Sequence, residues 1–354
     1  MKRRISTIYA IFCTLLLVAG FLLTFYFAWQ RETSDVVKCL VGFFLGFVFS
    51  PILHELGHVC FAKAAKMDCV YVKCFCFKVY IKDGRKRFGF ASPFSADQTQ
   101  VLPKTGGDMQ KRAAAYTLGG LIFSGIFILV TVACAVLTTV FVSSNYLLWG
   151  ILPYMGYLFL LNVAPMEYAS GKTDASVYIG LKRNYDAEKT MLSTMEIQGR
   201  LFEGKSFAEI DETLYFDLPQ LCEDEPLFAV ILDLRYRYYL EKEDFDAAGK
   251  CLNRLVSVME YLPYEEAEKV AAELVYMNSL RGELEDAETN AQACRGFLKQ
   301  ETATAKRILA AWSKANGNAQ HVEALLAQGA ECLKKERIAG VKKFEQILLA
   351  RIEK

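Results

Sequence analysis

Two of the three histidines in this chain lie four residues apart, in His54-Glu55-Leu56-Gly57-His58. On a helix, positions i and i+4 share a face. Both imidazoles can then bind one Zn2+, and Glu55 can reach a water beside it. The chemistry this set suits is metal-assisted hydrolysis, with Glu55 as general base. A catalytic zinc usually takes three protein ligands and a water. The remaining histidine, His321, sits in a polar helical tail and reads as a surface residue. A carboxylate or thiolate must therefore complete the set, and the nearby candidates are Glu167, Asp174, Cys60 and Cys134. Cys60 is two residues past His58, about 200° away around a helix. Cys134 lies in a run of Val, Ala and Leu and reads as a core filler. Glu167 closely follows Pro165, which ends the preceding helix and leaves the acid at an interface. Asp174 follows a Ser170-Gly171-Lys172-Thr173 turn at the start of a new helix, where its plain role is a helix cap. To act as a ligand it needs the chain to double back after Pro165.

These residues must be positioned by membrane helices. The chain has 354 residues, 53% of them hydrophobic and 23% charged, with a mean hydropathy of +0.19. No Asp, Glu, Lys or Arg occurs from Ala113 to Met166. Four stretches are long enough to cross a bilayer: about Ile8–Trp29, Cys39–Phe61, Tyr116–Val142 and Leu147–Ala164. The histidine motif falls in the second, where polar groups are costly without partners or a function. The segment Ala62–Arg112 holds eleven basic residues against four acidic ones, whereas the two opposite loops contain Arg31 alone. The positive-inside rule then puts both termini and the Ala62–Arg112 loop in the cytoplasm. The compact four-span plan suits an integral protein of a bacterial plasma membrane. A net charge of +1 argues against nucleic acid as a partner.

In the cytoplasmic loop, Val70–Ile81 is rich in β-branched and aromatic residues, and Asp83-Gly84 separates it from Arg85–Phe90, which predicts a β-hairpin. Pro93, Pro103 and Gly106-Gly107 mark the return to the membrane. From about Leu181 onward the apolar residues recur at helical spacing, and no proline follows Pro263. Glu243–Ala248 resembles Gly282–Ala287, and Gly317–Val322 resembles both more faintly, at offsets close to a tetratricopeptide period. The fold expected is thus an all-α polytopic membrane protein. It has four transmembrane helices, three of them forming a core, a small cytoplasmic β-hairpin insertion and a helical cytoplasmic domain of possible repeat type. The expected boundaries are 1–36 for the anchor helix and external loop, 37–183 for the membrane domain with its hairpin loop at about 66–105, and 184–354 for the helical domain.

The motif in a span, a strand-rich loop, a further span and then Asn162-Val-Ala-Pro165 followed by an aspartate resemble the site-2 protease family of intramembrane zinc metalloproteases. The resemblance covers about Val37 to Arg183. It implies a catalytic core of the second to fourth spans and one Zn2+ per chain on His54, His58 and Asp174, with Glu55 catalytic. It also implies substrate positioning by Asn162, Pro165 and Gly120, and protein or peptide substrates embedded in or beside the membrane. The family's Gly-Pro-x-x-Asn element is represented here by Gly119-Gly120-Leu-Ile-Phe-Ser124, and its Asp-Gly pair by Asp174-Ala175. A cleaved membrane helix must unwind, because its peptide groups are tied up in its own hydrogen bonds. The Val70–Phe90 hairpin is a candidate edge for receiving the freed strand. A helical repeat domain suits a cytoplasmic protein partner. The alternative function is an inactive zinc-binding membrane scaffold whose helical domain recruits partners.

Overall fold

A computed structural model describes residues 2–82, 85–92, 98–103, 107–143, 145–168 and 171–353. It divides into two compact units, Met1–Glu188 and Lys189–Lys354.

The first unit contains α1 (Lys2–Trp29), α2 (Thr33–Ala64), a sheet, α3 (Met109–Phe141) and α4 (Tyr146–Val163). All four helices are long and apolar enough to cross a membrane. Each begins one to seven residues before its expected segment, and α3 and α4 end one residue short of theirs. Their outward faces carry large apolar side chains such as Leu15, Leu129 and Phe141. Cys134 belongs to that exposed face rather than to a core, contrary to expectation. The centre of the bundle is α2, which packs on α1, α3 and α4. Its approach to α3 is set by glycine: a Cβ on Gly57 would collide with the Gly119 carbonyl, and one on Gly119 would meet the Gly57 carbonyl at 2.5 Å. Small residues at such a crossing allow backbones to touch where apolar burial gives no preference between protein and lipid.

The loop between α2 and α3 is larger than a hairpin. Strands β1 (Met67–Cys74), β2 (Phe77–Lys82), β3 (Arg85–Phe90) and β4 (Gln98–Pro103) form an antiparallel sheet ordered β3-β2-β1-β4. The predicted β2–β3 pairing is present, with Lys82 opposite Arg85, while Asp83-Gly84 lie outside the described residues. Two features differ from the sequence reading. The single strand expected over Val70–Ile81 is broken at Phe75-Cys76, where Phe75 adopts φ 52° and its ring packs edge-on against Phe47 of α2 at 5.3 Å. Gln98–Pro103, expected as a returning loop, pairs with β1, Thr99 lying opposite Val72.

After α4, β5 (Glu167–Tyr168) and β6 (Gly171–Lys172) form a short antiparallel pair that turns the chain back into α5 (Asp174–Arg183). This is the reversal that Asp174 required. Ala164 takes an extended conformation, as a residue before proline should.

Helix α6 (Asp186–Phe202) leads into the second unit. There follow α7 (Thr213–Phe216), α8 (Pro226–Glu241), α9 (Phe245–Val256), α10 (Tyr264–Arg281), α11 (Leu284–Ala293), α12 (Arg295–Leu298), α13 (Ala303–Ala315), α14 (Ala319–Leu333) and α15 (Ala339–Glu353). The three similar sequence segments all fall at the turn of a helical pair: α8–α9, α10–α11 and α13–α14. Each opens on a left-handed residue, Glu243, Gly282 or Gly317, and the next residue is the N-cap of the following helix. His321 is exposed on α14.

At the core of this unit the Arg307 guanidinium is fully buried. It donates to Glu345 at 2.8 Å and Glu273 at 2.6 Å and lies 4.2 Å from the Tyr276 ring centroid. Removing one partner of a buried ion network strands the others, a loss of about 3–5 kcal/mol. Arg307→Leu should destabilise the unit by about that amount, read as a lowered midpoint of chemical unfolding. A change below about 1 kcal/mol would mean that solvent reaches the network.

Candidate metal centre

His54, Glu55 and His58 lie on α2 and are buried, at 5–6% relative exposure. The imidazoles are oriented from the adjacent helix. His58 Nδ1 lies 3.0 Å from the Tyr116 carbonyl and His54 Nδ1 3.1 Å from Ser124 Oγ. A carbonyl can only accept, so His58 carries its proton on Nδ1 and presents the Nε2 lone pair to the interior. Outer partners of this kind fix the ring orientation of metal-binding histidines.

Asp174 arrives from α5. The helix cap that might have occupied its carboxylate is supplied by Thr173, whose hydroxyl accepts from Ser176 N at 3.3 Å. The same hydroxyl donates to the Ala164 carbonyl at 2.7 Å, stapling the start of α5 to the end of α4. Gln110 of α3 holds the far end of α5 by hydrogen bonds to the Leu181 carbonyl and to Asn184. The Asp174 side chain is thus released toward the histidines. Its Oδ2 lies 3.0 Å from His54 Nε2 and 3.3 Å from His58 Nε2, and the two Nε2 atoms are 3.3 Å apart.

This triangle matches the donor set of a metal ion. Donors about 2.0–2.1 Å from a tetrahedral ion stand about 3.3 Å from one another. Oδ2 is buried with no aligned hydrogen-bond donor, so a cation suits it better than the surrounding protein does. Among the described residues, these three form the one such group able to hold an ion. Space over the group is kept by Gly120, where a Cβ would stand 2.5 Å from His58 Nε2 and 2.7 Å from His54 Nε2.

The other predicted residues lie apart from the triangle. Asn162 donates to the Leu158 carbonyl of its own helix at 3.1 Å, and Pro165 is exposed where the chain leaves α4. Glu167 sits in β5 opposite Lys172 and outside the ligand group. Sequence reasoning missed three supporting residues: Ser124, Tyr116 and Thr99. Thr99 is buried on β4 and donates its hydroxyl to Glu55 Oε2, while its carbonyl accepts from the Tyr116 hydroxyl at 2.5 Å. Only Ser124 had a sequence signal, through its place in the Gly119–Ser124 element.

Compared with known proteins, the chain matches no family model, no curated protein and no solved structure.

The triangle makes a graded set of expectations for zinc bound per chain, measured by elemental analysis and competitive chelation. Asp174→Ala and Gly120→Ala should each abolish stoichiometric binding, one by deleting a donor and the other by filling its space. Ser124→Ala should weaken affinity by about 10–100-fold. Glu167→Ala should change nothing; loss of zinc in that variant would move the third ligand to Glu167.

Proposed function

We propose that this chain is an intramembrane zinc endopeptidase of the site-2 protease kind. The observation that carries the reading is a two-His, one-Asp group in a bundle of apolar helices, its histidines buried and its aspartate half-buried, with Glu55 next to one histidine in sequence and itself buried. The same donor types also suit non-haem iron. An adjacent carboxylate on the ligand helix is what a hydrolase requires and an oxygenase does not.

Zinc held by His54, His58 and Asp174 would polarise the scissile carbonyl and lower the pKa of the attacking water toward about 7. Glu55 takes a proton from that water as the carbon–oxygen bond forms. It returns the proton to the departing amine as the carbon–nitrogen bond breaks. His58 is kept in the ligating tautomer by the Tyr116 carbonyl, and His54 is oriented by Ser124. Gly120 keeps the space over the donors clear, while Asn162 and Pro165 shape the exit of α4 toward Asp174.

The substrate is a protein or peptide embedded in or adjacent to the membrane. Its unwound segment needs partners for its backbone groups, and β4 supplies a sheet edge. Thr99 joins that strand to Glu55, so β4 is better placed to receive substrate than the β2–β3 hairpin. The basic residues of Ala62–Arg112 favour both termini on the cytoplasmic side, and the compact four-helix plan suits an integral protein of a bacterial plasma membrane. The helical unit, tetratricopeptide-like in its recurring turns, recruits a cytoplasmic protein partner. A cavity of about 560 Å³ between α8 and α10, with Leu252 and Leu255 in its lining, offers a place for one.

Glu55→Gln tests the reading. The variant should bind zinc as the parent does and lose at least about 100-fold in cleavage, the share expected of a general base. It should also retain uncut substrates, identified by mass spectrometry of what co-purifies. Undiminished cleavage would remove Glu55 as the base. A parent protein that binds zinc and cuts no membrane protein would instead be a scaffold.

A further inference from the structure

We propose that Thr99 is the positioning residue for Glu55, so that the edge strand of the sheet and the base move as one. This rests on the hydrolase reading above.

Four hydrogen-bonded and covalent links make a closed ring. Thr99 donates its hydroxyl to Glu55 Oε2. The Thr99 carbonyl accepts from the Tyr116 hydroxyl at 2.5 Å. The Tyr116 carbonyl meets His58 Nδ1 at 3.0 Å. The last link is α2 itself, in which Glu55 and His58 are three residues apart and therefore neighbours on the helix surface. One residue of β4 thus touches the base directly and reaches a ligand histidine through one tyrosine.

The ring solves a mechanical problem. A glutamate has three rotatable side-chain bonds, and a base must stay aligned with its proton to within a fraction of an ångström to be effective. Glu55 is buried at 5% exposure and Thr99 at 8%, so their bond is shielded from water. A hydroxyl donating to a carboxylate makes a charge-assisted hydrogen bond, about twice as strong as a neutral one. Holding the carboxylate by Oε2 fixes its plane. The backbone of Thr99 belongs to β4, which pairs on one side with β1 through Val72. A substrate strand that straightened β4 would therefore align Glu55 through the same threonine. Side-chain chemistry explains why the position needs a hydroxyl: valine has the same shape and strand preference but cannot donate.

The experiment uses the full-length protein in lipid nanodiscs, as wild type, Thr99→Val, Thr99→Ser and Glu55→Gln, with fluorescein-labelled β-casein as an unfolded probe substrate. Thr99→Val should lower kcat by about 10–100-fold, keep KM within about two-fold and leave zinc per chain unchanged. Thr99→Ser should recover most of the rate. The idea is overturned if Thr99→Val keeps the wild-type kcat, if its loss falls on KM or zinc content, or if serine is as poor as valine. A second measurement needs no activity. Amide hydrogen exchange over residues 98–103 in the zinc-free protein should accelerate equally in Thr99→Val and Glu55→Ala, and no further in the double variant. Additive acceleration would show two separate effects and overturn the link. If Glu55→Gln cuts the probe like wild type, the hydrolase reading fails; in that case, or if wild type leaves the probe uncut, the exchange result alone decides the link.

Discussion

The structure turns on one constraint: two imidazoles and two carboxylates gathered on and around an apolar helix. Water is scarce in such a place, and each unmet polar atom there costs on the order of 1–3 kcal/mol, more for a charge. Every neighbouring element supplies one of the missing partners. Helix α3 provides Ser124 and the Tyr116 carbonyl for the histidines. Strand β4 provides Thr99 for Glu55. Helix α5 brings Asp174 to both Nε2 atoms. Three electron-pair donors then face one another at 3.0–3.3 Å, an arrangement that protein groups alone stabilise poorly and a cation stabilises well.

Such convergence demands close approach, and close approach selects small residues. The Gly57–Gly119 crossing brings α3 against the helix that carries the motif, and Gly120, the next residue, clears the space in front of the ring nitrogens. The helix-packing requirement and the need for space before the imidazoles thus fall on consecutive residues. The α4–α5 connection obeys the same logic. A longer or looser link would leave Asp174 free to sample solvent. The Glu167–Lys172 and Tyr168–Gly171 pairing and the Thr173 staple to Ala164 remove that freedom.

The parts of this design that follow a local rule were legible in the sequence. Apolar length reveals a helix that could span a membrane, and i, i+4 spacing reveals two histidines on one face that could share an ion. Counting ligands called for a third donor and left four candidates; the resemblance named Asp174, and the short β5–β6 pair turns the chain back to bring it in. The parts that depend on contacts distant in the chain left no such mark. Thr99 and Glu55 are 44 residues apart, and nothing about a threonine between Gln98 and Gln100 announces a carboxylate partner. The break at Phe75-Cys76 was hidden because the usual turn residues are absent: Phe75 takes a left-handed conformation, with its ring against Phe47. Buried Arg307 was equally silent, since its two carboxylates come from α10 and α15.

The faint internal repeat falls on the turns of three helical pairs. What recurs is the chemistry of a turn: a residue with positive φ, then an N-cap that starts the next helix. Gly282 and Gly317 meet the first need at no steric cost. Glu243 meets it at φ 63° despite its side chain. The N-caps differ too. Asp244 and Asn318 accept hydrogen bonds from Ala247 N and His321 N, whereas Glu283 makes no side-chain cap. A period near that of a known repeat can therefore arise from the length of a helical hairpin alone: two helices of 10–18 residues joined by a tight turn. The repeat signal marks where the helices reverse, and the packing between them follows from longer-range contacts that the turns do not encode.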